Sequence, residues 1–411
     1  MTTPLRTLPG SGGFAVVTLA LLVILAQSGA PSPLYPVYQA EWNLTPLQVT
    51  SVFAVYVIGL LLTLITFGAL SDHVGRRPVI ISAAIVAVGG LIVFATATNL
   101  IDLLLARALQ GASVGAATGA LGAALIDLAP ARFPRLASLL NGIVPPIALT
   151  VGALSSGFLV QFAPHPTATV FLVFAALITL AAVLVVFLPE RGGRRAGAFA
   201  SLAPTVSIPR SARRVFGAVV GCMISSWALA GLYLALGPTI VISILHLESH
   251  VSGGLAVAAL TGTGALTGLV IHRADALQSM IVGAVALVVG PVLTVVALEF
   301  DSTWGFFASS VVAGIGFGAA FQSALRLLLA IAPAEGRAGL LSTVYLISYT
   351  AFGLPSIAAG LLVPVVGLLN VVLGYAALVA LLALIALVLQ FVLGRNRAVE
   401  EAADARESAI A

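Results

Sequence analysis

Residues 68–78 read GALSDHVGRRP, and they lie between two long apolar runs, roughly 47–70 and 79–98. Asp72, His73, Arg76 and Arg77 are thereby packed into a turn too short to be a domain. Ionised side chains avoid hydrocarbon, so such a turn belongs at a membrane surface. Gly68 and Gly75 permit a tight reversal between two helices. The chemistry on offer is ion pairing: Asp72 can face exposed N–H groups at a neighbouring helix start, near Gly339, and Arg76 can pair with Asp127, which closes the fourth apolar run on the same side. A second group is Arg107 with Gln110, three residues on and on the same helical face. Arg107 falls about 9 Å inside its segment at 1.5 Å per residue. A cation at that depth is costly and faces a polar cavity, unless it snorkels to the surface or pairs with Asp102.

The elements that must position these residues are helices in a bilayer. Of 411 residues, 60% are hydrophobic and 8% charged, with mean hydropathy +1.17. Soluble domains run near 25% charged, and one soluble core cannot hide so much apolar surface. Breaks at Pro, Gly and charge clusters give twelve apolar segments. They fall near 14–38, 47–70, 79–98, 101–127, 136–161, 167–188, 214–244, 251–271, 278–299, 303–331, 337–363 and 366–394. Each can cross about 30 Å of hydrocarbon as a helix. The runs are continuous, which excludes the short alternating strands of a barrel. A cleaved leader over 14–26 fits poorly, because Pro31 would follow the cut and more apolar segments come downstream.

Every basic residue that carries a fixed charge is Arg; the chain has no Lys. With the N-terminus inside, 16 of 18 arginines fall on the inner side: Arg6, Arg76, Arg77, Arg132, Arg135, Arg191, Arg194, Arg195, Arg210, Arg213, Arg214, Arg273, Arg337, Arg395, Arg397 and Arg406. Arg107 and Arg326 are intrahelical, and the opposite loops carry Glu41, Glu248, Glu299 and Asp301. The positive-inside rule therefore places both termini in the cytoplasm, and the expected location is the inner membrane of a bacterium, with multiple passes. The +4 net charge is this Arg bias and says nothing of nucleic acid, which is not an expected partner.

Residues 189–213 are polar and read as a cytoplasmic linker between a six-helix bundle over 1–188 and another over 214–394, with a tail over 395–411. The halves repeat. GASVGAATGALGAALIDLAP at 111–130 aligns without gaps to GIGFGAAFQSALRLLLAIAP at 314–333, and the same offset of 203 pairs Asp72 with Asp275 and Gly157 with Gly360. Six-helix repeats mark secondary transporters.

The 68–78 turn resembles the G-x-x-x-D-x-x-G-R-R loop of the major facilitator superfamily, and Arg107-Ala-Leu-Gln110-Gly111 resembles that family's R-x-x-Q-G motif. The resemblance covers essentially the whole chain. It implies twelve transmembrane helices in two pseudo-symmetric bundles, alternating access, and a gate formed by Asp72, Gly75, Arg76, Arg77 and Asp127. His73 stands where a basic Arg is common, which weakens the latch. The branch most resembled is that of the drug:proton antiporters, but their G-x-x-x-G-P-x-x-G-G motif is not matched in the fifth segment. Only Asn141, Pro145, Pro146, Gly152 and Gly157 remain there.

Gln27, Tyr56, Asn141, Trp227, Tyr233, Gln322, Arg326, Tyr345 and Tyr349 are candidates to line a central cavity, with Asp102, Arg107 and Gln110 in a coupling role. The set is aromatic and poor in hydrogen-bonding groups, which suits an amphipathic or lipophilic solute better than a sugar. Arg107 and Arg326 leave room for organic anions, a carrier for organic anions, sugars or other metabolites is the alternative, and a non-transporting receptor or scaffold is a further one. No Asp or Glu sits near a helix centre, so a midplane proton carrier is absent and any proton coupling must use terminal acids or His. Without Lys there is no phosphate-binding loop, and no catalytic triad or metal cluster can be argued. No cofactor, enzymatic activity or obligate oligomer is expected. Cys222 is alone, which excludes an intrachain disulfide and suggests a buried, inert thiol.

Overall fold

The computed structural model describes residues 10–133, 135–190, 196–203 and 206–410. Arg6, Arg191, Arg194 and Arg195 lie outside the described residues, as do the side chains of Arg395, Arg397 and Arg406. The described chain is helical: α1 (Gly10–Ala26), α2 (Tyr35–Trp42), α3 (Pro46–Phe67), α4 (Ser71–Val74), α5 (Arg76–Ala95), α6 (Leu100–Asp127), α7 (Leu136–Phe162) and α8 (Pro166–Val186). After the linker come α9 (Arg213–Ser243), α10 (His250–Ile271), α11 (Ala276–Glu299), α12 (Thr303–Ile331), α13 (Arg337–Val366) and α14 (Leu368–Ile410). Among the described residues, eleven helices are long and apolar enough to cross a membrane, α1 being a shorter apolar one. Helices satisfy their own backbone, which hydrocarbon requires. Polar caps mark where they meet water: Thr45 and Gln48 form a capping box on α3, Asn99 caps α6, Asp275 caps α11 and Ser302 caps α12.

The first span departs from expectation. A single helix over 14–38 was predicted, but the helix stops at Ala26, turns through Gln27–Pro31, makes a single 3-10 turn at Ser32–Leu34 and resumes as α2. Pro31, Pro33 and Pro36 remove the N–H donors that a continuous helix needs. Gly29 lets the broken strand of chain lie on α7, since a Cβ there would come within 2.7 Å of the Leu149 carbonyl.

The helices form two six-helix bundles, α1–α8 and α9–α14, which meet along α7 with α10 and α3 with α13. The 203-residue repeat is visible in the packing. Gly111 and Gly115 of α6 lie against α3 backbone at Tyr56 and Leu60, while Gly314 and Gly318 of α12 lie against α10 backbone at Leu260 and Gly264. In each case an added Cβ would be 2.6 Å or less from a carbonyl oxygen, so the repeated glycines set the spacing of equivalent helix pairs. Asp275 has kept only a capping role, accepting from the Gln278 N–H at 2.8 Å.

Candidate functional site

Three groups stand out, one at each level of the molecule. The first lies at the arginine-rich end. Arg76 donates to Asp72, to Ser71 Oγ at 2.7 Å and to Asp127 Oδ2 at 3.2 Å. The expected Arg76–Asp127 pair therefore exists and ties α5 to the end of α6. Among the described residues Asp72 is held by Arg76 and not by the start of α13, where the Gly339 carbonyl accepts from the Ser207 N–H of the linker at 3.3 Å. His73 makes a local contact from Nδ1 to the Ala69 carbonyl, 3.3 Å.

Glu190, unmarked in the sequence reading, completes this group. Its Oε1 accepts from the Arg76 N–H at 2.8 Å and its Oε2 from the Arg77 N–H at 3.3 Å. α5 has no side-chain cap of its own, so a carboxylate from the start of the linker serves as one, favoured by the positive helix end. Gly75 is required twice over: its φ is +102°, and a Cβ would stand 2.8 Å from Glu190 Oε1. Arg77 donates to the Val186 carbonyl of α8. Glu190→Ala is expected to lower unfolding stability by about 1 kcal/mol, the usual cost of a lost cap, read from thermal unfolding in detergent. A parent-like melting curve would show that the cap adds nothing.

The second group surrounds the broken first helix. Arg107 is fully buried. It donates to Tyr35 Oη from both Nε (3.1 Å) and Nη2, to Gln110 Oε1 at 2.5 Å and to the Ser28 carbonyl at 3.3 Å. The Tyr56 ring lies 5.1 Å from the guanidinium and the Tyr35 ring 5.5 Å. Gln110 Nε2 donates to the Gln27 carbonyl at 2.8 Å, Gln27 Nε2 to Ser113 Oγ at 3.3 Å, and Ser156 Oγ to the Ala30 carbonyl at 2.5 Å. Irregular backbone is thus satisfied by side chains of α6 and α7, the condition under which it survives at membrane depth. Snorkelling is excluded by the burial, and Asp102 is engaged elsewhere, accepting from Thr98 and Asn99 at 2.9–3.1 Å. Among the described residues no carboxylate pairs with Arg107.

The third group is aromatic and bridges the bundles. Trp227 of α9 meets Phe321 (centroids 5.2 Å) and Phe352 (5.6 Å) edge to face and Tyr349 (4.7 Å) at a 60° tilt, and Phe352 meets Phe53 of α3 at 4.8 Å. Tyr345 stands 6.3 Å from Tyr349. The Trp227 indole N–H is buried and has no partner among the described residues. Phe53 lies one turn before Tyr56, so this cluster runs on to Arg107.

Other candidates are placed elsewhere. Tyr233 faces α12, its hydroxyl 2.7 Å from Ser310 Oγ. Asn141 donates to the Gly122 carbonyl at 3.2 Å, and Gln322 packs on Gly268 of α10 while facing Gly142 of α7. Arg326 is not a deep charge beside Arg107: it reaches the carbonyl of Ile271 at the end of α10, at 3.1 Å, and that of Ala274 in the loop beyond, at 2.8 Å. α12 ends only five residues on, and the long side chain finds the negative helix end there. Among the described residues no three His, Cys, Asp or Glu side chains converge to hold a metal ion. Cys222 is buried.

A profile of the Major Facilitator Superfamily matches residues 17–298. The chain belongs to the major facilitator superfamily. Membership accounts for the multi-pass helical architecture and for the resemblance of the 68–78 and 107–111 motifs. It is 30% identical over 156 residues to the multidrug resistance protein MdtL of Vibrio parahaemolyticus, a match spanning 37% of this chain and 38% of that relative. The crystal structure of the nucleoside transporter NupG superposes with a TM-score of 0.70, covering 92% of this chain and 99% of NupG at 14% identity. That likeness is one of fold.

Proposed function

We propose that this facilitator exports small amphipathic or lipophilic organic compounds across the bacterial inner membrane by alternating access, in exchange for protons. Residues 1–188 and 214–394 rock about the central cavity, 189–213 is the cytoplasmic linker, 395–411 the cytoplasmic tail, and the monomer is the working unit. The observation that carries this reading is the aromatic cluster of Trp227, Tyr349, Phe352 and Phe53 between the bundles, in which the buried indole N–H has no partner among the described residues. Such a surface holds aromatic and aliphatic solutes with one or two hydrogen bonds, and it lacks the groups a polyhydroxylated solute needs. The partial match to MdtL supports the same class of cargo.

A second reading is favoured by Arg107, whose buried charge has no carboxylate partner among the described residues: the cargo is an organic anion that supplies the missing charge. Expression in a host stripped of its own pumps distinguishes them. Raised resistance to several neutral or cationic lipophilic compounds supports export of that class, resistance confined to anionic compounds supports the second reading, and hypersensitivity overturns export in favour of uptake. In proteoliposomes, flux indifferent to ΔpH overturns proton exchange, and binding without flux points to a receptor. Trp227→Ala is expected to cut flux about tenfold, the loss of one aromatic contact to the cargo.

A further inference from the structure

We propose that Ser32 is the positioning residue that holds the end opposite the arginine-rich face shut, by giving the Leu234 carbonyl the hydrogen bond that Pro238 denies it. In an α-helix the carbonyl of residue 234 accepts from the N–H of residue 238. In α9 that residue is Pro238, which has no N–H. The orphaned carbonyl lies in a buried stretch, Leu234 being 1% exposed. Ser32, itself fully buried, donates to it from Oγ at 2.7 Å. A proline break in a membrane helix is tolerated when a neighbour re-satisfies the freed group. Here the neighbour belongs to the other bundle, so the repair exists only while the bundles are closed at this end.

The surroundings agree. Between bundles, the hydrogen bonds of the described residues run from Ser32 to Leu234, Thr239 to Gln39, and Ser249 and the His250 N–H to Gln161 at this end, with Thr150 and Thr261 nearer the middle. The Ser32–Leu34 turn is wedged between α7, α9 and α10, and Pro238 packs on Gly253 of α10, where a Cβ would come within 2.9 Å. When the end opens, the Leu234 carbonyl must accept from water or from a donor on the cargo, because the proline has made it a free acceptor at the bundle interface. The closed state is favoured by the bond; the open state is made reachable because the bond is one that water can replace.

The inference rests on alternating access, and the test separates the two. Spin labels at Phe162→Cys and Phe300→Cys, both on exposed residues at this end of opposite bundles, report its opening in liposomes on a Cys222→Ala background. Val and Thr have the same shape, so comparing Ser32→Val with Ser32→Thr isolates the hydroxyl. Ser32→Val is expected to shift the open-to-closed ratio about tenfold toward open, the effect of stranding a buried carbonyl, and Ser32→Thr to restore it. On a Pro238→Ala background, where the helix supplies its own N–H, the difference between the Val and Thr variants should fall within about twofold. Equal ratios for Ser32→Val and Ser32→Thr, or an undiminished difference beside Pro238→Ala, overturn the assignment alone. A parent protein with one label distance under every ΔpH and cargo condition overturns alternating access and the assignment together.

Discussion

Arg107→Met is expected to reduce transport at least a hundredfold while leaving the unfolding midpoint within a few degrees of the parent. The two halves of that statement come from the same geometry. The guanidinium is fully buried and its partners are neutral: Tyr35, Gln110 and the Ser28 carbonyl. An unpaired buried cation costs several kcal/mol, and about 2.5–3.5 kcal/mol is charged to an Arg at a membrane helix centre on insertion scales. Removing it relieves that cost. It also strands the Gln110 and Ser28 oxygens, at about 1–3 kcal/mol each. The opposing amounts are of similar size, so stability moves little. Function has no such compensation, because Met offers neither the charge nor the fork that grips Tyr35. Flux per folded molecule and a thermal melt on the same preparation decide the matter. A variant that melts ten degrees lower and still transports at the parental rate would make Arg107 a brace for the broken helix and nothing more.

What the sequence disclosed follows from which interactions are periodic or local. Charge asymmetry and apolar run length gave the spans, because a bilayer imposes its thickness on every crossing. The 203-residue offset gave the equivalence of Gly111 and Gly314, because close helix contact tolerates few residue types. Arg76 and Asp127 could be paired since both sit at ends of helices on one face. The break at Gln27–Leu34 does leave a signal in the sequence, a drop in hydropathy over QSGAPSPL and the spacing of Pro31, Pro33 and Pro36, but a span defined by length alone runs across it. Tyr35 was missed with it, having been read as part of a continuous helix. Arg326 was misplaced because counting residues locates a Cα, whereas a long side chain ends about a turn away at the nearest carbonyls. Ser32 with Leu234, and Glu190 with the start of α5, are partners only by virtue of how the helices assemble, and no local pattern announces them.

Arg76→Gln, the second large effect, is expected to cut transport tenfold or more with membrane levels unchanged. Arg76 is one-fifth exposed, and its partners Asp72 and Asp127 are 53% and 36% exposed. Ion pairs this wet contribute about 0–1 kcal/mol and weaken further with salt. They are poor braces, and Glu190 and the Val186 carbonyl already fix the turn through backbone N–H groups and Arg77. A contact that adds little to stability yet joins the turn to the end of α6 suits a latch that must form and break in each cycle, since a latch worth many kcal/mol would trap one state. Asp72→Asn and Asp127→Asn should each lower flux in the same direction, and exchanging the charges with Arg76→Asp and Asp127→Arg together should recover part of what either loses alone. Flux in liposomes, normalised to protein that survives size exclusion, is the measurement. Parental flux from Arg76→Gln and Asp72→Asn would reduce the cluster to an anchor at the membrane surface and leave the cycle to be gated elsewhere.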